Sequence, residues 1–386
     1  MGRIVGTALA GASIEWYDFF IYGVAAATVF PALFFPGSDP LTGVLLSFGT
    51  FAVGFVARPV GGVLFGHYGD RAGRKKSLVL ALLLMGIATT GIGLLPTYGS
   101  IGVAAPLLLI VLRFLQGMAI GGQWGGAVLL LVESAPPGKR GFYGSFAQVG
   151  VPRGVILANL VFLLVAEAFG DAALQAWAWR IPFLLSIVLI GIGVYIQLRL
   201  EESPAFVAAS SGRKTETTGR SPVLRVLRDH PRTVALAAGA FVAINGSFYI
   251  FITWIVAYAT KTLGMAQSSV LAAVMLSSVA QAPALVIAAA LSDRLGRRQV
   301  FMSGAALLGL WGLVFFPLVD QASFLMLVFA LAVGQTFNSM MYGPQAALFG
   351  ELFPVETRYS GASLGYQLGA IFGGAFAPLI ATGLLA

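Results

Sequence analysis

The chain has 386 residues, of which 58% are hydrophobic and 10% are charged, and it includes 49 glycines. Soluble domains carry about 25% charged residues, so this composition excludes an ordinary soluble protein and predicts a polytopic membrane protein. The chain has no cysteine and two histidines, which excludes disulfides, thiolate metal sites and cysteine nucleophiles and leaves little for a histidine metal site. The apolar N-terminal stretch lacks the cleavage site of a removable signal peptide, so we interpret it as the first span.

Eleven stretches are long and apolar enough to cross a bilayer at about 20 residues each. We place them at roughly 4–30, 41–66, 77–95, 104–132, 143–169, 178–198, 232–259, 268–291, 300–317, 321–349 and 360–385. The predicted fold is therefore all-α, with two pseudo-symmetric six-helix lobes: 1–198 holds spans 1–6, and 232–386 holds spans 7–11 and lacks the twelfth. Residues 199–231 are the one extended polar segment and are predicted to be a cytoplasmic linker.

The net charge is +8. The positions of the basic residues are explained by membrane topology rather than by nucleic-acid binding. With the N-terminus inside, 18 of the 23 Lys and Arg residues lie on the cytoplasmic side, against one, Lys261, on the outer side. The positive-inside rule thus predicts an inner (plasma) membrane protein with a cytoplasmic N-terminus. The remaining four, Arg58, Arg113, Arg153 and Arg180, lie within or at the ends of spans.

The two halves repeat each other's charged motifs. Asp70-Arg71-Ala-Gly73-Arg74-Lys75 follows span 2, and Asp293-Arg294-Leu-Gly296-Arg297-Arg298 follows span 8. Glu133-Ser-Ala-Pro136 after span 4 is matched by Glu351-Leu-Phe-Pro354 after span 10. This repeat indicates a transporter built from two equivalent lobes, and it leads us to expect a twelfth span after residue 386.

These motifs resemble the major facilitator superfamily, together with Arg113-Phe-Leu-Gln116-Gly117 in span 4. Four further segments look like its metabolite:proton symporter branch, which contains permeases for shikimate, 2-oxoglutarate, citrate, and proline or betaine. They are Glu15-Trp16-Tyr17-Asp18-Phe19, Ala57-Arg58-Pro59-Val-Gly61-Gly62, Gly121-Gly122-Gln123-Trp124-Gly125-Gly126 and Trp179-Arg180-Ile-Pro182-Phe183. The resemblance covers the whole chain and implies uptake of a small metabolite.

Charges at membrane depth also indicate transport, because each costs about 2.5–3.5 kcal/mol unless it faces a cavity or a partner. Asp18, Arg113 and Arg153 are predicted to lie near mid-bilayer. We predict that Asp18 takes up the proton and competes with the substrate for Arg113; the alternative is a permanent Asp18–Arg113 ion pair. Glu15, three residues earlier, is either a second proton site or a structural hydrogen-bonding group.

The predicted substrate-binding residues are the other polar groups at membrane depth. Arg153 follows Pro152 and either binds substrate or pairs with an acidic neighbour, whereas Arg58 serves either the substrate or the inner gate. The remaining candidates, each of which is also explained by hydrogen bonds between helices, are Tyr22, Gln123, Trp124, Gln148, Asn245, Tyr249, Gln281, Asn338, Tyr342 and Gln345. Glycines 117, 121, 122, 125 and 126 have the spacing of close helix packing.

The cytoplasmic motifs are predicted to close the inner side of the transporter through ion pairs and helix-end contacts. This predicted cytoplasmic gate comprises Asp70, Arg71, Arg74, Glu133 and Arg140 in the first half and Asp293, Arg294, Arg297, Glu351 and Arg358 in the second.

The sequence therefore predicts a monomeric secondary transporter that imports a small carboxylate metabolite with protons by alternating access. Two alternatives stay open: a proton-coupled carrier of a zwitterion such as betaine or proline, and a proton-independent facilitator. No phosphate loop, metal cluster or nucleophile triad is found in the sequence. It therefore predicts neither an enzyme nor a cofactor other than the proton. The predicted partners are the metabolite and membrane lipid, not nucleic acid.

Overall fold

The computed structural model describes residues 2–72, 74–121, 131–132, 135–199, 222–354 and 358–385. Within these ranges all regular elements are helical, and a helix overlaps each of the eleven predicted spans. Eight of the described helices are long and apolar enough to cross a membrane, and Val79–Leu94 and Arg180–Tyr195 are shorter apolar helices. The predicted all-α, polytopic fold is confirmed.

The long helices keep the order of the predicted spans. The first six are α1 Gly2–Thr28, α2 Pro40–Ala72, α3 Arg74–Leu94, α4 Ala104–Gly121, α5 Arg140–Ala173 and α6 Arg180–Arg199. The last five are α7 Pro231–Thr262, α8 Gln267–Leu295, α9 Arg297–Val319, α10 Phe324–Leu352 and α11, which runs through Arg358–Ala370, Ile371–Ala375 and Phe376–Gly383. Helices α2 and α8 continue past the predicted spans because the charged motifs Asp70-Arg71 and Asp293-Arg294 extend the helix beyond the apolar segment.

Most of the predicted linker lies outside the described residues. Its last part forms the short helix Pro222–Asp229, which contacts α7 and α11.

Turns of π-helix interrupt α7 at Ile250–Trp254 and Tyr258–Thr262 and α11 at Ile371–Ala375. A π turn breaks the regular hydrogen-bond ladder and leaves a backbone carbonyl in need of a donor. In α11 the Asn245 side chain supplies one, since its Nδ2 donates to the Ala370 carbonyl at 3.2 Å.

Glycines bring α2 and α4 into backbone contact. A Cβ atom on Gly117 would lie 2.1 Å from the Gly54 carbonyl oxygen, and one on Gly121 would lie 1.9 Å from the Arg58 carbonyl oxygen. Close packing is thus confirmed for these two of the predicted glycines, and Gly122, Gly125 and Gly126 lie outside the described residues.

The first six helices meet the last five along two lines of contact. Helix α5, which also packs on α1, packs on α8 and α10, while α2 packs on α11. Helix α1 touches α7 between these lines. The candidate site lies where the two sets of helices meet.

Candidate substrate and proton site

Arg113 of α4 is completely buried and held by aromatic rings. Its guanidinium carbon lies 4.1 Å from the ring centres of both Phe19 and Tyr22 and 4.7 Å from that of Phe51. Cation–π contacts are worth about 2 kcal/mol when the charge is desolvated. The rings therefore keep a permanent positive charge inside the membrane span.

Gln116, one turn after Arg113, connects this cation to α1 and α3. Its side-chain oxygen accepts a hydrogen bond from Arg113 Nη1, and its Nε2 donates to the Asp18 backbone oxygen at 2.9 Å and to Thr89 Oγ1 at 2.8 Å. Neither carboxyl oxygen of Asp18 has a hydrogen-bond partner among the described residues, and no ion pair joins Asp18 to Arg113 there. The predicted Asp18–Arg113 ion pair is therefore not formed, because Gln116 and the aromatic rings surround the guanidinium instead.

The Asp18 side chain is completely buried, and in the described part of the chain neither carboxyl oxygen has a hydrogen-bond partner. The Ser186 hydroxyl of α6 lies next to it and is likewise buried without a well-formed hydrogen bond to any described residue. Glu15, on the same helix, is partly buried. An ionised carboxylate is costly in such surroundings unless it is paired. These surroundings therefore favour the protonated, neutral form of Asp18.

Arg58 of α2 is a second buried cation. Its guanidinium carbon lies 4.4 Å from the ring centre of Phe55, 4.6 Å from that of Phe19 and 5.8 Å from that of Trp16. Its Nε and Nη2 atoms are buried without a hydrogen-bond partner among the described residues. Phe19 thus contacts both Arg58 and Arg113.

A cavity lies between the two sets of helices. It has room for about one water molecule. Small-ligand sites are mostly apolar with a few polar groups, as here, and typically measure about 300–1,000 Å³. A metabolite would therefore fit only after the helices or side chains separate. The lining residues are Trp16, Val151, Phe241, Ile244, Asn245, Phe248, Tyr249, Asn338, Tyr342 and Tyr366.

Four of the predicted substrate-binding residues, Asn245, Tyr249, Asn338 and Tyr342, line this cavity, and Arg58 contacts Tyr249. Asn338 is anchored, since its Nδ2 donates to the Ile244 carbonyl at 2.8 Å and to Ser247 Oγ at 3.0 Å. Its Oδ1 is buried without a partner among the described residues. Asn338 therefore offers the cavity an unused acceptor.

Other predicted residues are buried but do not line the cavity. Gln148 Nε2 donates to Gln345 Oε1 at 3.2 Å and joins α5 to α10, whereas the Gln281 amide of α8 has no partner among the described residues. Tyr22 donates to Thr50 Oγ1 at 2.6 Å and belongs to the surroundings of Arg113.

The position of Arg153 contradicts its predicted role in substrate binding. Its side chain is exposed on the same outer face of α5 as the exposed Leu157, Leu160 and Leu164, while Gly154 on another face packs against Trp16. Side chains on an outer helix face cannot reach a cavity between the lobes, so we exclude Arg153 from the site. Gln123 and Trp124 lie outside the described residues.

Three residues of the predicted cytoplasmic gate, Asp293, Arg297 and Glu351, form contacts in the structure. Asp293 accepts hydrogen bonds from the backbone N–H groups of Gly141 and Phe142, both at 2.9 Å, at the start of α5. Arg297 pairs with Asp293 at 2.6 Å and with Glu351 at 3.6 Å. A carboxylate at a helix N-terminus is favoured by the free N–H groups and the helix dipole, so this gate contact joins the two sets of helices.

The structure describes the side chains of two other predicted gate residues. Arg140 and Arg294 are exposed. The side chains of Asp70, Arg71, Arg74 and Arg358 and the whole of Glu133 lie outside the described residues.

Sequence reasoning missed three contributors to the site. Gln116 had a usable signal, because residues three apart on a helix are neighbours and it follows Arg113 at that spacing. Ser186 and Tyr366 had none, since a lone hydroxyl in an apolar helix has no feature that separates it from an ordinary packing residue. Their positions depend on which helices become neighbours.

Membrane-crossing helices around buried charges and a cavity between two sets of helices define a membrane transporter. The chain belongs to the major facilitator superfamily, whose family model matches residues 19–378. This family assigns transport rather than catalysis, and the predicted resemblance is confirmed.

Relatives of this chain include metabolite transporters. It is 41% identical over 387 residues to the inner membrane metabolite transport protein YhjE of Escherichia coli, covering 99% of this chain and 87% of the relative. It is 40% identical over 384 residues to the shikimate transporter of the same organism, covering 97% and 86%. Identity to the E. coli proline/betaine transporter is 30% over 381 residues, covering 96% and 75%.

Among solved structures, the D-xylose–proton symporter matches with a TM-score of 0.74 at 20% identity, covering 98% of this chain and 89% of that one. The inward-open xylose transporter XylE from E. coli also gives a TM-score of 0.74, at 17% identity, covering 98% and 89%. At this identity the match shows the shared fold.

Proposed function

We propose that this protein imports a small carboxylate metabolite together with protons by alternating access. The observation that carries the proposal is Arg58, a buried guanidinium with unused N–H groups beside the cavity. A guanidinium stays charged and binds a carboxylate through two parallel hydrogen bonds. The names of the relatives, among them a shikimate transporter, are consistent with such a substrate.

Asp18 is the proposed proton site. It is the buried carboxyl group without a hydrogen-bond partner among the described residues, and it follows Glu15 on the helix that also carries Trp16 of the cavity wall. Protonation of Asp18 raises the net positive charge near Arg58 and Arg113, which favours an incoming anion. Arg113 serves as the fixed charge of this arrangement.

The gate contact at Asp293 is the proposed inner closure. Opening toward the cytoplasm breaks a few modest contacts at once, as a transition between states of similar energy requires. The charge distribution supports a cytoplasmic N-terminus. We further propose that the chain acts as a monomer of two lobes, 1–198 and 232–386, which the linker joins.

A zwitterion such as betaine is the second candidate. Six aromatic residues line the cavity, and aromatic faces bind quaternary ammonium groups; 30% identity to a proline/betaine transporter adds to this candidate. The lining residues are Trp16, Phe241, Phe248, Tyr249, Tyr342 and Tyr366.

Proton movement in proteoliposomes tests the proposal. Shikimate, 2-oxoglutarate, citrate and glycine betaine are offered in turn, and we expect external alkalinisation with a carboxylate in the wild type. Arg58→Lys should lower uptake at least about 10-fold because a bidentate contact is lost. The control is Arg180→Lys, which alters an arginine whose Nη2 donates to the Leu95 carbonyl, away from the cavity. A signal with betaine alone, or full carboxylate uptake by Arg58→Lys, would overturn the proposal.

A further inference from the structure

Three tyrosines from three helices gather around Arg58 in the cavity wall. They are Tyr249 of α7, Tyr342 of α10 and Tyr366 of α11, and all three are buried. Tyr249 is in hydrogen-bonding contact with Arg58, Tyr342 is in the same contact with Tyr366, and the charge of Arg58 acts on all three. One cation from the first six helices thus meets three hydroxyl groups from the last five.

This cluster has the donors that a carboxylate needs. Arg58 Nε and Nη2 are buried and unused by any described residue. A phenol hydroxyl also donates to an anion, and hydrogen bonds to a charged group are the strong ones. A buried donor without an acceptor is unfavourable. A carboxylate bound here would therefore give the unused N–H groups of Arg58 an acceptor and would itself gain donors.

One positive charge, that of Arg58, is in hydrogen-bonding contact with the cavity wall. None of the residues that line the cavity is charged; the charge of Arg113 also acts on Tyr249, but the hydrogen bond of Arg113 in the described part of the chain is to Gln116. Arg113 is enclosed by the rings of Phe19, Tyr22 and Phe51, and Gly54 packs so closely that a Cβ there would lie 2.6 Å from Arg113 Nε. A second carboxylate on the substrate would therefore be buried without a cation to which it could form hydrogen bonds, which is costly.

An unused acceptor lies one turn from the tyrosine cluster. Asn338 and Tyr342 are four residues apart on α10, so they are separated by about 6 Å along the helix. Asn338 Oδ1 has no donor among the described residues, while its Nδ2 is held by Ile244 and Ser247. This fixed orientation requires a donor, such as a hydroxyl group, from the substrate.

We infer that the substrate is a hydroxylated monocarboxylate with a compact, neutral body. Its carboxylate accepts hydrogen bonds from Arg58 and from the hydroxyls of Tyr249 and Tyr366, while Tyr342 donates its own proton to Tyr366. A substrate hydroxyl about 6 Å away donates to Asn338 Oδ1. The aromatic walls fit the faces of a ring. Citrate and 2-oxoglutarate carry too many charges, and betaine lacks a donor. This inference rests on the proposed function, from which it selects one substrate class.

The test compares two ligands that differ only in their hydroxyl groups, shikimate and cyclohex-1-ene-carboxylate. Their dissociation constants are measured on the purified full chain through tryptophan fluorescence, since Trp16 lines the cavity. Tyr249→Phe should weaken both ligands about 10- to 100-fold, because it alters the carboxylate end. Asn338→Leu should weaken the binding of shikimate by a similar factor. The affinity for the unhydroxylated ligand should stay within about 2-fold of the wild-type value.

The control is Tyr258→Phe, which removes a hydroxyl that bonds Asp320 at 2.7 Å, away from the lining residues. Both ligands are measured on each variant, so a general loss of folding would lower the affinity for both by the same factor. If Asn338→Leu does not fold, Asn338→Ala, which also removes the acceptor, replaces it. Equal affinity of the wild type for both ligands, or equal weakening by Asn338→Leu in a folded variant, would overturn the inference. Uptake of citrate or 2-oxoglutarate that depends on Arg58 would overturn the inference of a monocarboxylate but leave the proposed import of carboxylates intact. If no carboxylate binds, both the inference and the proposed function are overturned.

Discussion

Gln116 connects Arg113 to the backbone of Asp18, so the cation and the proposed proton site are linked without a direct ion pair. The Gln116 oxygen must face Arg113, which leaves its NH₂ group for Asp18 and Thr89. The amide orientation is thereby determined by the charge. A movement of Arg113 on α4 would be transmitted to α1 at Asp18, the proposed proton site.

Replacement of Gln116 by leucine should destabilise the protein. The change removes three hydrogen bonds in a fully buried position and leaves Arg113 Nη1 without its acceptor, for a loss of about 3 kcal/mol in the free energy of unfolding. Thermal unfolding in detergent measures it. Gln299→Leu, an exposed position on α9, is the control; equal melting temperatures for the two variants would contradict the structural role of Gln116.

Asp18→Asn should abolish the proton dependence of uptake. In the wild type uptake should rise as external pH falls, because proton binding at Asp18 precedes substrate binding; the variant is permanently neutral there and should show a flat pH profile with substrate exchange retained. Counterflow of labelled substrate at several pH values measures both.

Asp320→Asn is the matched control, since Asp320 is exposed and bonded to Tyr258. An Asp18→Asn variant with the wild-type pH profile would exclude Asp18 as the proton site and make Glu15 the next carboxyl to replace.

Gly121→Ala should disturb the site through packing alone. Its Cβ would lie 1.9 Å from the Arg58 carbonyl oxygen, so α2 and α4 must separate, at a cost of about 3 kcal/mol. We expect a lower melting temperature together with weaker substrate binding, because Arg58 moves with its backbone. Gly239→Ala on α7 has no atom within 4 Å of the new Cβ and should behave as the wild type. Full stability of Gly121→Ala would show that the two helices are not in backbone contact.

Asp293→Ala should make the inner side easier to open. The change removes two hydrogen bonds to the start of α5 and the pairing with Arg297. Because the chain has no cysteine, a single Ala346→Cys reporter, buried on α10, can be labelled cleanly with a membrane-impermeant thiol reagent. We expect about 10-fold faster labelling from the cytoplasmic side.

Asp229→Ala, in the short helix before α7, serves as the control for that experiment. Unchanged labelling of Ala346→Cys in the Asp293→Ala background would argue against an inner closure at this contact.

Local sequence features predicted the helices well and the contacts of the charges less well. The eleven spans follow from long apolar runs, and the packing of Gly117 and Gly121 follows from their spacing. The Asp18–Arg113 pair and the substrate role of Arg153 were inferred from depth in the membrane. Depth is a one-dimensional quantity, however, and it does not say which way a side chain points around the helix axis.

The sequence by itself determined the class of protein, because an apolar chain in lipid must satisfy its backbone within helices and because the repeated charged motifs carry the family resemblance. Only the tertiary structure decided how the polar residues are used. It places Arg58 beside the tyrosines of α7, α10 and α11, encloses Arg113 in rings from α1 and α2, and turns Arg153 to the outer face of α5. These contacts join residues far apart in the chain, so they depend on how the helices pack and rotate against one another.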